Sequence, residues 1–167
     1  MYKKGILTIR PMDETDLEFI RSIRNDESTW MNLTNVEMIS DAQQKKWFEN
    51  LTNSATQKYF IAGKDDSDIG MVRITNLDLI NRNACVGCDV ALEYRGRGLG
   101  TSLMSLVVSY CFEVLNLEMI WLMVLETNAP ALRAYEKVGF KETGRLPHCL
   151  YRNGKYQDYI LMSQVRK

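Results

Sequence analysis

The chain is 167 residues long, a length that suits one domain spanning residues 1–167. Its 21 Lys and Arg balance 21 Asp and Glu, which argues against a general nucleic-acid binder. No apolar run approaches the roughly 18 residues of a membrane span. Met1 to Gly5 leads into a strand-like run rather than a signal segment, so a cytoplasmic protein is expected.

Gly5 to Pro11 reads as a first strand, stopped by its proline. Asp13-Glu14-Thr15-Asp16 opens a helix whose Leu17, Ile20 and Ile23 form one apolar stripe. The polar stretch 25–35, with its Trp30-Met31 pair, reads as a loop or short helix. Ser40 is an N-cap for a helix over 41–52 carrying Trp47, Phe48 and Leu51. Strands over 59–62 and 69–79 form a hairpin about the turn at 64–68, and 84–92 is the next strand.

A helix from Leu99 carries Leu103, Leu106, Val107, Tyr110 and Val114 at a 3.6-residue period. Met119 to Leu125 is near-continuously apolar, the pattern of a buried strand. Asn128-Ala129-Pro130 starts a short helix that Gly139 ends. Strands over 140–145 and 156–163 meet through a turn at 152–155. The order is mixed α/β, with antiparallel strands in the middle and one βαβ crossover.

That crossover holds Glu93-Tyr94-Arg95-Gly96-Arg97-Gly98-Leu99-Gly100-Thr101, between a strand and a helix start. Three glycines leave backbone N–H groups unshielded, and the helix dipole adds positive potential. Arg95 and Arg97 contribute charge at the rim. The stretch reads as an anion site suited to phosphate or pyrophosphate. No Lys-Ser/Thr pair follows, so it is not a P-loop, and G-x-G-x-G differs from the dinucleotide fingerprint G-x-G-x-x-G.

Cys85 and Cys88 form a C-x-x-C, but strand residues three apart point to opposite faces. There is no second such pair, and His148 is the only histidine. No metal site is expected, and the four cysteines read as buried thiols.

The element order together with Arg95-Gly96-Arg97-Gly98-Leu99-Gly100 resembles the GNAT N-acetyltransferase superfamily. The stretch Asn128 to Phe140 is similar to that family's second signature, N-x-x-A-x-x-x-Y-x-x-x-G-F. The resemblance covers essentially the whole chain. It implies a GNAT fold, a mixed and mostly antiparallel central sheet flanked by helices. It also implies an acetyl-CoA-dependent enzyme that acetylates a primary amine. Within the family the chain looks most like spermidine/spermine, ribosomal-protein alanine and nucleotide-amino-sugar acetyltransferases. Asn153 to Asp158 and Asn116-Leu117-Glu118 are similar to segments of the polyamine enzymes. Cys85 stands where those enzymes tend to carry a glutamate, which weighs against a polycationic acceptor.

By the same resemblance, the backbone of Cys88, Asp89 and Val90 pairs with the pantetheine and the thioester oxygen. Arg95, Gly96, Arg97, Gly98, Leu99, Gly100 and Thr101 hold the pyrophosphate. Asn128 bonds the pantetheine arm, and Arg133 reaches the nucleotide phosphates. Tyr135 is the general acid to the departing thiolate, since a phenol can protonate a thiolate whose conjugate acid lies near that of cysteine. Asp89 is the first candidate for the base, with Glu37 and Glu126 as others. Trp30, Met31, Trp47 and Phe48 wall the acceptor side. The acceptor is a small-molecule amine, a polyamine or amino sugar; a protein N-terminus is the runner-up, and a non-catalytic acetyl-CoA-binding module the rival. Relatives range from monomers to rings, so a homo-oligomer is compatible with the sequence.

Overall fold

A computed structural model describes residues 1–33 and 37–167. An eight-stranded sheet runs in the order β1-β2-β3-β4-β5-β6-β8-β7. The strands are β1 Tyr2–Lys4, β2 Leu7–Pro11, β3 Lys58–Lys64, β4 Ser67–Asp78, β5 Asn83–Val90, β6 Met119–Leu125, β7 Lys141–Arg152 and β8 Lys155–Val165. All pairings are antiparallel except β5 with β6. The helices are α1 Leu17–Asn25, α2 Glu27–Trp30, α3 Asp41–Thr52, α4 Leu99–Ser109 and α5 Ala129–Val138. Among the described residues no helix is long and apolar enough to cross a membrane.

Strand alternation sends side chains to two layers. Ala62, Val72, Ile74, Ala84 and Val86 pack beneath α4 with Leu103, Leu106, Val107, Ile120 and Leu122. On the opposite face Ile61 and Met71 pack with Met12, Ile20, Trp47 and Phe48. The T-shaped Trp47–Tyr59 pair, centroids 4.9 Å apart, ties α3 to that face. Trp47 and Phe48 are therefore packing residues of this second layer.

Ser40 does cap α3. Its Oγ accepts from Gln43 N at 3.3 Å while Gln43 Oε1 accepts from Ser40 N at 2.9 Å. The first strand differs from expectation: Gly5, at φ +62°, turns a hairpin between β1 and β2. The expected helix at Asp13 begins as a 3-10 turn over Glu14–Asp16 before α1. The long helix keeps α geometry only to Ser109; Tyr110–Val114 form a π turn, with Leu115 N–H donating to Tyr110 O. β7 runs seven residues beyond its expected end at Arg145. Pro147 and the positive-φ His148 sit in an irregularity between Leu146 and Leu150, which resembles a strand break in sequence. The expectation of four buried thiols needs correction: Cys111 is buried, Cys85 and Cys88 are half-buried, and Cys149 is exposed. Cys149 lies on the long β7–β8 hairpin, where most of β7 stays exposed.

Candidate active site

The site follows from one feature of the sheet. β5 and β6 pair only from Asn83↔Met119 to Cys85↔Trp121. Beyond that register β5 continues to Val90 and β6 to Leu125, and the strands part. The gap opens a cavity of about 680 Å³, bounded by Val86, Cys88, Asp89 and Val90 on one side and Met123 and Val124 on the other. That stretch of β5 has no partner on β6, so its edge can pair with an extended ligand. The gap also brings together side chains from both faces of the sheet: Tyr135 from α5, and Arg73, Cys85 and Asp89 from β4 and β5.

The glycine loop forms the mouth. Gly96 (φ +73°) and Gly98 (φ +75°) hold conformations that disfavour side chains, and a Cβ on either would meet nothing within 4 Å. Gly98 caps α4, whose first N–H groups open at the cavity beside Leu99, Gly100 and Thr101. Arg95 fastens the loop: Nε donates to Val90 O at 2.7 Å, Nη1 to Ser28 Oγ and Nη2 to Thr29 Oγ1, both at 2.5 Å. Sequence reading missed Ser28 and Thr29, because nothing in a short polar helix marks a loop anchor.

Tyr135 packs against the core, its ring 6.0 Å from that of Phe140. Burial, then the neighbouring Cys88 and Asp89, push its phenol above the ordinary value, against the pull of Arg73. It therefore holds its proton at neutral pH. Burial pushes the Cys88 thiol up to about 12, so that side chain is no thiolate nucleophile.

Arg73 and Asp89 form an ion pair with side chains 25% and 12% exposed. Burial opposes the charge on Arg73, but Asp89, with smaller help from Tyr135, Tyr59 and Cys88, more than offsets it and the guanidinium stays charged. A Cβ at Gly87 would lie 2.8 Å from the Arg73 guanidinium, so only glycine lets Arg73 lie across β5. Asn128 caps α5, its Oδ1 accepting from Ala131 N at 3.3 Å, and also lines the cavity.

Other expected residues lie elsewhere. Arg97 and Arg133 are exposed and outside the cavity lining. Trp30 and Met31 are half-buried and also outside it. Glu126 is engaged by Arg145 at 3.1 Å and by the N–H of Asp158 at 3.0 Å. Glu37 is exposed. His148 is exposed and stacks on Tyr156.

A splayed parallel pair, a glycine loop at its mouth and a half-buried tyrosine in its lining make a cleft suited to an extended, phosphate-bearing ligand. The acetyltransferase (GNAT) domain family matches residues 7–141. The chain belongs to the GNAT family. It is an N-acetyltransferase. It is similar to the spermidine N(1)-acetyltransferase of Vibrio cholerae, 30% identical over 95% of this chain and 94% of that protein. It is also similar to an L-amino acid N-acetyltransferase of Escherichia coli, 30% identical over 96% of this chain and 98% of that one. The crystal structure of the Vibrio cholerae spermidine enzyme in complex with CoA and spermine superposes with a TM-score of 0.91 at 27% identity, covering 96% and 95% of the two chains. This GNAT chain thus shares fold and family with enzymes named for quite different acceptors.

Proposed function

We propose that the protein transfers an acetyl group from acetyl-CoA to a primary amine of a small molecule. The parting of β5 and β6 carries this reading. The residues suit acetyl-CoA: the loop supplies N–H groups without side-chain cover, and the β5 edge offers unpaired backbone. The solved Vibrio structure, bound to CoA, supports that assignment.

Gly96, Gly98 and Gly100, with Leu99 and Thr101, hold the pyrophosphate, and Arg95 keeps the loop shaped for it. Cys88, Asp89 and Val90 offer backbone groups to the pantetheine and the thioester oxygen. Asn128 meets the pantetheine arm, while Arg97 and Arg133 act from the surface on the nucleotide phosphates. Asp89 takes the proton of the ammonium form of the acceptor. The freed nitrogen bonds to the acetyl carbon as the carbon–sulfur bond breaks. Tyr135 gives its proton to the sulfur and is restored by the proton the nitrogen loses. Cys88, held as a thiol, leaves the transfer direct.

The test is acetyl-CoA-dependent thiol release with spermidine, a nucleotide-linked amino sugar, an aminoglycoside and peptides beginning with Ala or Ser. Turnover with a small amine, lost in Tyr135→Phe while acetyl-CoA still binds, is the expected result. Selective turnover of the peptides would instead support the protein N-terminus reading. Binding of acetyl-CoA without transfer to any amine would make the chain a binding module.

A further inference from the structure

The acceptor side of the gap carries an unusual charge pattern. Among the described residues, the charged groups lining the cavity are Arg73, Asp89 and Arg95. Arg95 is committed to the loop. Arg73 uses Nη1 on Asp89, and its Nε and Nη2 donate to no described residue. A second guanidinium, outside the cavity lining, belongs to α1, which packs through Ile20 with Met71, two residues before Arg73. Arg24 falls on the buried stripe of α1, seven residues after Leu17 and four after Ile20, where the helical period calls for an apolar side chain. It lies within electrostatic reach of Asp89, Arg73 and Tyr59 and forms no ion pair among the described residues. Burial pushes it below its ordinary value. Cys85, on the same strand face as Asp89, adds no charge.

The two arginines thus face one carboxylate, leaving an excess of one positive charge. A half-buried guanidinium without a counter-ion is unfavourable unless something else satisfies it. A polyamine would meet that excess with charges of the same sign.

Resting on the acetyl-transfer reading, we propose that the acceptor carries an anionic group beside its amine, with the free edge of Arg73 binding the anion, Arg24 adding positive potential from outside the lining, and Asp89 facing the ammonium. The Arg73–Asp89 pair is then matched, charge for charge, by a zwitterionic acceptor. Guanidinium groups suit carboxylate and phosphate alike, since both accept paired N–H bonds. A carboxylate makes the acceptor resemble an amino acid; a phosphate makes it an amino-sugar phosphate.

Matched acceptors test this: L-amino acids against their amides, glucosamine 6-phosphate against glucosamine, and spermidine. The expected result is a kcat/KM at least about tenfold higher for the anionic member of one pair, the size of a single well-placed charge contact. Which pair responds tells carboxylate from phosphate. Arg24→Gln should cut that preference about tenfold, and Arg24→Lys should keep part of it. If Arg24→Gln fails to fold, the wild-type comparison still decides. Equal or better turnover of the uncharged partners or of spermidine overturns the inference and leaves acetyl transfer standing. No transfer to any amine removes both.

Discussion

The two sides of the β5–β6 gap are built in different ways. The mouth is built from backbone: glycines at positive φ, a helix N-terminus and an unpaired strand edge. The acceptor side is built from side chains on β4 and β5, with α1 packed on the same sheet face, brought together only when the sheet folds. Backbone recognition tolerates changes of side chain; side-chain recognition fails when one group moves. The mouth therefore suits a ligand common to a whole family, and the acceptor side suits the ligand that distinguishes its members.

Tyr135 sits where the two sides meet, and its removal should have the largest effect. Tyr135→Phe is expected to lower kcat by about a hundredfold or more, as for loss of a general acid. Acetyl-CoA affinity should change little. A parallel loss of affinity would mean the residue belongs to the mouth alone. Gly87→Ala sharpens the contrast from the acceptor side. Its Cβ would push on the Arg73 guanidinium, so kcat/KM should fall about tenfold through KM, with acetyl-CoA binding intact.

Arg95→Ala works on the mouth. Losing the ties to Val90, Ser28 and Thr29 should weaken acetyl-CoA binding by about tenfold, measured by calorimetry, with acceptor preference unchanged. Cys88→Ala should have the smallest effect, keeping kcat within about threefold, less than 1 kcal/mol, because the strand contributes its backbone. A collapse in rate would point to an acyl-cysteine route.

Alkali offers a further check. Cys88 and Cys111 have folded-state thiols raised from 9.0 to about 12 by burial. Above pH 9 the unfolded chain loses those protons while the folded chain keeps them. Stability should hold below pH 9 and fall as pH rises toward 12, seen as a declining urea midpoint. Cys88→Ala should flatten part of that decline.

The mouth was legible in sequence because its parts are contiguous. Arg95 to Thr101 and Asn128 to Tyr135 are short runs whose glycines and caps announce their backbone geometry. The antiparallel centre and the one crossover were legible from periodicity. Of the acceptor side only Asp89 was, since Arg24, Arg73 and Asp89 are up to 65 residues apart and the two strands meet through register. Two signals were present: Arg24 interrupts an apolar helical stripe, and Arg73 lies between Val72 and Ile74. Each reads alone as a solvated charge, and only the sheet shows Arg73 lining the cavity with Arg24 in electrostatic reach of it. Strand ends were also hidden, because Pro147 and His148 imitate a break that the structure accommodates as an irregularity.

Amide hydrogen exchange with and without acetyl-CoA tests the central claim most directly. Binding in the gap should slow exchange along Val86 to Val90 and Gly96 to Thr101, while β1, β2 and the tip of the β7–β8 hairpin stay unchanged. Exchange along β5 that ignores saturating acetyl-CoA would contradict the assignment of the β5–β6 gap as the acetyl-transfer site.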